Sequence, residues 1–147
     1  MKILKCAVIM CILAAVTAGC NKNNDEYLCF IGKWKLEKIT IPFYFNSTYD
    51  YSQYNIVYDF KPKNVLTISG ETDTMVYRGH RLGNSFYKIY GVNDKIKDKD
   101  FYHSHYYNHR PILKINNMYQ TYRISDTNLE IDDSWADGSI YYLVKIN

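Results

Sequence analysis

The residues best suited to chemistry gather in one run, FYHSHYYNHR (101–110). On a strand, His103 and His105 would share a face, and His109 four residues on could complete a three-imidazole zinc set. No Asp or Glu stands where it would serve as a general base; Asp100 only flanks the run. Three histidines in a polar, tyrosine-rich connection are expected to face solvent, so no metal and no cofactor is expected. The chain has no Gly-x-Ser-x-Gly elbow, no phosphate-cradling glycine loop and no His-Glu-x-x-His. Its carboxylates are scattered at turns such as Asp126 and Asp132-Asp133, where they serve local hydrogen bonding. No catalytic residue is assigned, and the expectation is a protein that is not an enzyme. The same run carries Phe101, Tyr102, Tyr106 and Tyr107. Exposed aromatic and Arg side chains are favoured in binding hot spots, which makes 93–110 a candidate contact for a protein partner.

A second reactive group is Cys20. The first 19 residues read as a signal: Lys2 and Lys5, an apolar stretch from Cys6 to Ala18, then small residues. Thirteen apolar residues are too few to span a bilayer. The ending Thr17-Ala18-Gly19-Cys20 resembles the bacterial lipobox, in which the cysteine thiol is acylated, although Thr17 stands where that pattern usually has Leu or Val. This resemblance implies a chain anchored by acyl chains such as palmitate in the bacterial cell envelope, most naturally at the outer membrane. Residues 20–27 would be the lipidated Cys and a polar tether, and 28–147 the folded domain. Cys6 and Cys11 leave with the signal, so Cys29 has no partner for an intramolecular disulfide and is expected to act as a small buried hydrophobe.

What must position these groups is a β-structure. After the signal there is a single alanine, Ala136, but 16 Tyr and 13 Ile, residues that fit a pleated surface better than a helix. Removal of Lys2 and Lys5 leaves 16 basic and 15 acidic side chains, too even a balance for a nucleic-acid footprint. Alternation predicts the strands. In GKWKLEKITI, Trp34 and Leu36 share a face, while Ile39 and Ile41 are out of phase, which predicts a bulge near Lys38. Tyr54, Ile56, Tyr58 and Phe60 share a face of the next strand, and Pro62 to Asn64 make a turn into VLTIS. Further strands are expected at 85–92, 112–115, 119–124, 129–132 and 140–146, the last with Ile140, Tyr142, Val144 and Ile146 on one face. His80 reads as a loop residue. About eight short strands joined mostly by tight turns predict an all-β, up-and-down antiparallel barrel.

Gly32-Lys33-Trp34 opens the first strand and resembles the Gly-x-Trp signature of the lipocalin superfamily. The resemblance implies that Trp34 plugs the closed end of a lipocalin-like barrel beneath a basic side chain from a late strand, for which Arg123 and Lys145 are both candidates. The runs YNIVYDFKPKNVLTISG (54–70), YRISDTNLEID (122–132) and DGSIYYLVKI (137–146) look like small lipocalin-like lipoproteins of gut Gram-negative bacteria. Asp73-Thr74-Met75 resembles their O-glycosylation site. An eight-stranded barrel is either filled by side chains or holds one small ligand. Tyr54, Tyr58, Phe60, Phe86, Tyr122 and Tyr142 are the expected lining of such a cup, each tyrosine offering a flat apolar face and a polar tip. The function expected is non-catalytic binding of a small apolar or amphiphilic ligand. The alternative is a filled barrel that meets a protein partner or target through 93–110.

Overall fold

The computed structural model describes residues 25–43, 46–71, 79–92, 94, 96, 110–134 and 138–147. Cys20, Thr74 and the three histidines His103, His105 and His109 lie outside the described residues. A short helix, α1 (Asp25–Phe30), begins where the sequence reads as tether. It leads into β1 (Gly32–Ile41), β2 (Ser47–Asp50), β3 (Val57–Lys61), β4 (Val65–Ser69) and β5 (Gly83–Tyr90). The chain continues as β6 (Ile112–Ile115), β7 (Met118–Ile124), β8 (Asn128–Asp132) and β9 (Ile140–Ile146).

These strands make one closed antiparallel barrel. From β3 to β9 each strand pairs with the next, and β9 returns to β1 from Lys33↔Ile146 to Thr40↔Ile140. On its other edge β1 meets β2 through Lys38–Ile41 and β3 through Gly32–Lys35. β2 and β3 are therefore two pieces of one interrupted strand, and the barrel has eight staves, as the alternation predicts. The interruption, 51–56, is held at its edges: the Tyr51 N–H donates to Glu37 O (2.7 Å) and the Leu36 N–H to Ile56 O (2.9 Å). The expected bulge is present, between Leu36 and Lys38. It lets Trp34, Leu36, Ile39 and Ile41 all face inward and be buried despite their broken phase.

The width of the barrel follows from its registers. Carried once round the sheet from Thr40, the pairings return to β1 displaced by about twelve residues once the bulge is discounted. An eight-stranded barrel with a shear of about 8 is filled by layers of branched aliphatic side chains. At equal strand number, greater shear means steeper tilt and a wider interior. Rings fill it here: Trp34, Phe30, Tyr58 and Phe60 are all fully buried.

One end is closed by α1. Phe30 enters the barrel and meets Phe60 and Tyr122 edge-on, at centroid distances of 5.3 and 4.8 Å. The Trp34 indole N–H donates to Phe30 O at 2.8 Å. Lys145, paired with Trp34 across β9 and β1, places its ammonium 5.0 Å from the indole centroid and donates to Cys29 O at 3.4 Å. Lys145 is thus the basic partner. Arg123 points outward, its side chain 81% exposed, and pairs with Glu130 at 3.3 Å. Cys29 is half-buried.

Tyr141 and Leu143 face the core, with Lys145 on the same side at the exposed end of β9, and Ile140, Tyr142, Val144 and Ile146 share the outer face. Elsewhere Gly70, at φ 147°, lets the end of β4 pass the interruption in the neighbouring strand: a Cβ there would stand 2.7 Å from Asn55 O and 2.8 Å from the Ile56 Cα. Gly70→Ala is expected to cost about 3 kcal/mol through strain and overpacking, measured as a lowered urea midpoint at unchanged m-value. Lys145→Ala should cost about 1 kcal/mol and Arg123→Ala under about 0.5 kcal/mol. Equal losses in the same titration would refute the assignment of Lys145 to the plug.

Candidate functional site

At the barrel end away from α1, strands β1, β4, β6 and β8 end and β2, β5, β7 and β9 begin. At the α1 end lie the turns at 62–64 and 125–127, the end of β5 and the start of β6. At the end away from α1 lies a polar cluster. His80, carried by the β4–β5 connection rather than by a strand, is only 5% exposed. Its ring stacks on Tyr141 with centroids 4.4 Å apart and meets Tyr58 edge-on at 5.7 Å. The Tyr58 hydroxyl is 3.1 Å from Nδ1, and the Gln120 amide faces Nε2, with its oxygen at 3.1 Å and its nitrogen at 2.9 Å.

Each member sits there by the strand period. Tyr58 is on the inner face of β3 with Phe60, Gln120 on that of β7 with Tyr122, and Tyr141 on that of β9 with Leu143. Hydroxyl and amide can each donate or accept, so both neutral tautomers of His80 are satisfied. Burial pushes the imidazole down to about 4, against the opposing effect of its Gln120 hydrogen bond. The ring is therefore neutral at physiological pH. It is a planar, two-edged group stacked on one tyrosine and met edge-on by another, suited to holding position and matching hydrogen bonds.

The expected cup lining divides. Tyr58, Phe60 and Tyr122 are buried inside: Tyr58 in the polar cluster, Phe60 and Tyr122 around the Phe30 plug. Three expectations are overturned. Tyr54 lies in the 51–56 interruption, 41% exposed, because β3 begins only at Val57. Phe86 is 71% exposed, because β5 turns Ser85 and Tyr87 inward. Tyr87 wins the interior place: it packs edge-on to Phe60 at 5.0 Å and its hydroxyl donates to Lys61 O at 3.1 Å. Tyr142 faces outward because β9 turns Tyr141 and Leu143 inward. It borders an open surface groove of 490 Å³ across β7, β8, β9 and the bulge. Lys38 stands 4.5 Å above its ring. Partial burial, with Glu130 and Asp132 nearby and Arg123 opposing, raises its hydroxyl above the ordinary tyrosine value.

His80 is in a loop, as expected, and its ring reaches into the core. The signal for it lay on β7. Gln120 shares the inner face with Tyr122, and a buried amide needs a polar partner. Among the described residues, no group of three or more His, Cys, Asp or Glu is placed to hold a metal ion, and no helix is long and apolar enough to cross a membrane. Compared with known proteins, the chain matches no family model, no curated protein and no solved structure.

The buried imidazole gives a pH dependence with a defined sign. Below about pH 6.5 the unfolded chain takes up a proton that the folded chain refuses until about pH 4. This contribution to stability is complete above pH 6.5 and is lost as pH falls through that window, by up to about 3 kcal/mol. Chemical denaturation at pH 7.5, 6 and 5 should show the decline, and His80→Gln should flatten it. An equal slope in the variant would assign the decline to other groups.

Proposed function

We propose that the protein is a lipid-anchored, lipocalin-like binding module of the bacterial cell envelope, non-catalytic and built to take a small apolar or amphiphilic ligand. The observation that carries this reading is the source of the side chain filling the upper interior. The strands and α1 supply the rings of the lower half, but below the mouth a ring-sized place is taken by His80 from a connection. A ligand entering there would meet the rings of Tyr58 and Tyr141 and the amide of Gln120: apolar faces with a few polar groups for orientation. The steep shear supports the same reading, because it widens the barrel beyond what aliphatic layers fill.

The fully buried Trp34, Phe30 and Phe60 favour the second reading, a solid barrel that meets a protein through its surface. The candidate segment 93–110, which lies almost wholly outside the described residues, would then make the contact. Native mass spectrometry of residues 21–147, expressed in the envelope of a Gram-negative host, separates the two. The expected result is an added mass of a few hundred daltons, lost on denaturation and reduced in Tyr58→Ala. A bare chain from repeated gentle preparations, with no uptake of added fatty acid or lysolipid, would move the assignment to the solid barrel. A zinc-sized mass would return the histidine run to consideration.

A further inference from the structure

We propose that the α1 end of the barrel rests on the lipid headgroup layer, so that the mouth above His80 points away from the membrane. This inference deepens the proposed function and rests on its lipid anchor at Cys20. Four residues separate Cys20 from Asp25, and such a link reaches at most about 17 Å. A ten-residue strand such as β1 is about 33 Å long, or about 23 Å along the axis of a barrel tilted by roughly 45°. The anchor therefore holds α1 close to the bilayer, and the mouth lies beyond its reach unless the barrel lies on its side.

The side chains of the α1 end favour the upright pose. Leu28 projects from α1 at 62% exposure, while Phe30 of the same helix is buried in the plug. Val92, just past β5 at the same end, is 48% exposed. An apolar side chain flanked by lysines is the composition that enters a headgroup layer. Lys33 at the start of β1 and Lys63 at the tip of the β3–β4 turn are both exposed there, and lysine ammoniums pair with lipid phosphates. Asp94 and Asp126 share this end and keep the attraction modest, so the acyl chains provide the affinity and this face sets the orientation.

The test uses the full chain, processed and lipidated in its host and reconstituted in phosphatidylethanolamine–phosphatidylglycerol vesicles. In a Cys29→Ser background, a fluorophore is attached at Leu28→Cys or, at the mouth end, at Glu71→Cys. Lipids carrying a quencher near the headgroup should quench the Leu28→Cys label at least threefold more than the Glu71→Cys label. Lys33→Glu with Lys63→Glu should narrow that ratio. Equal or reversed quenching with the acyl mass present on Cys20 would overturn the orientation and leave the anchor standing. Absence of the acyl mass would overturn the anchor and the orientation together, without touching the barrel as a binding module.

Discussion

The indole of Trp34 is the constraint on which the rest of the barrel depends. Its N–H is bound by Phe30 O and its face lies below the Lys145 ammonium. One ring thus joins the segment before the barrel, the first strand and the last. Each consequence is geometric. Phe30 must enter the core, so α1 must cross the end. Lys145 must take the side of β9 that covers the indole, so Tyr141 and Leu143 share that side and Tyr142 faces out. The glycine before Trp34 takes part: Gly32 has φ 124°, and a side chain there would begin 3.5 Å from the Lys145 stem. Burial of an indole this large contributes far more than the exposed cation above it.

Above this plug the interior changes character. Rings from strands give way to an imidazole from a connection, and apolar contact gives way to hydrogen bonds. A buried polar cluster stabilises only while every member is paired. The Tyr58–His80–Gln120 set meets that condition because hydroxyl, neutral imidazole and amide can exchange donor and acceptor roles. The same versatility makes it a poor acid–base device at neutral pH and a good lining for orienting a guest.

Much of this was legible in the sequence, for reasons that can be named. Alternation is local, so VLTIS gave β4 to the residue, and the broken phase after Leu36 placed the bulge. Gly32 and Trp34 suggested the plug through the resemblance of Gly-x-Trp to a known signature, not through any pattern of the strand itself. What failed was the choice of inner face where both faces carry rings. In SFYKIY the choice between Phe86 and Tyr87 was decided by a carbonyl on another strand, that of Lys61. In IYYLVKI the buried places went to Tyr141 and Leu143, on the face that ends in the exposed Lys145 over the indole. The break at 51–56 depends on Gly70 passing close by, a contact between strands that one strand's pattern does not contain.

The closing pair, β1 with β9, joins residues 32–41 to 140–146, nearly the two ends of the described chain. Contacts of such sequence separation form late, because the intervening chain must be ordered before they repay its lost freedom. Until β9 has been delivered, one edge of the tryptophan-bearing strand offers unpaired N–H and C=O groups to any neighbour. A chain that emerges from its N-terminus thus carries its least protected surface first and covers it last. Its hazard in biogenesis is therefore not the finished barrel, which has no open seam there, but the interval in which the first stave waits for the eighth.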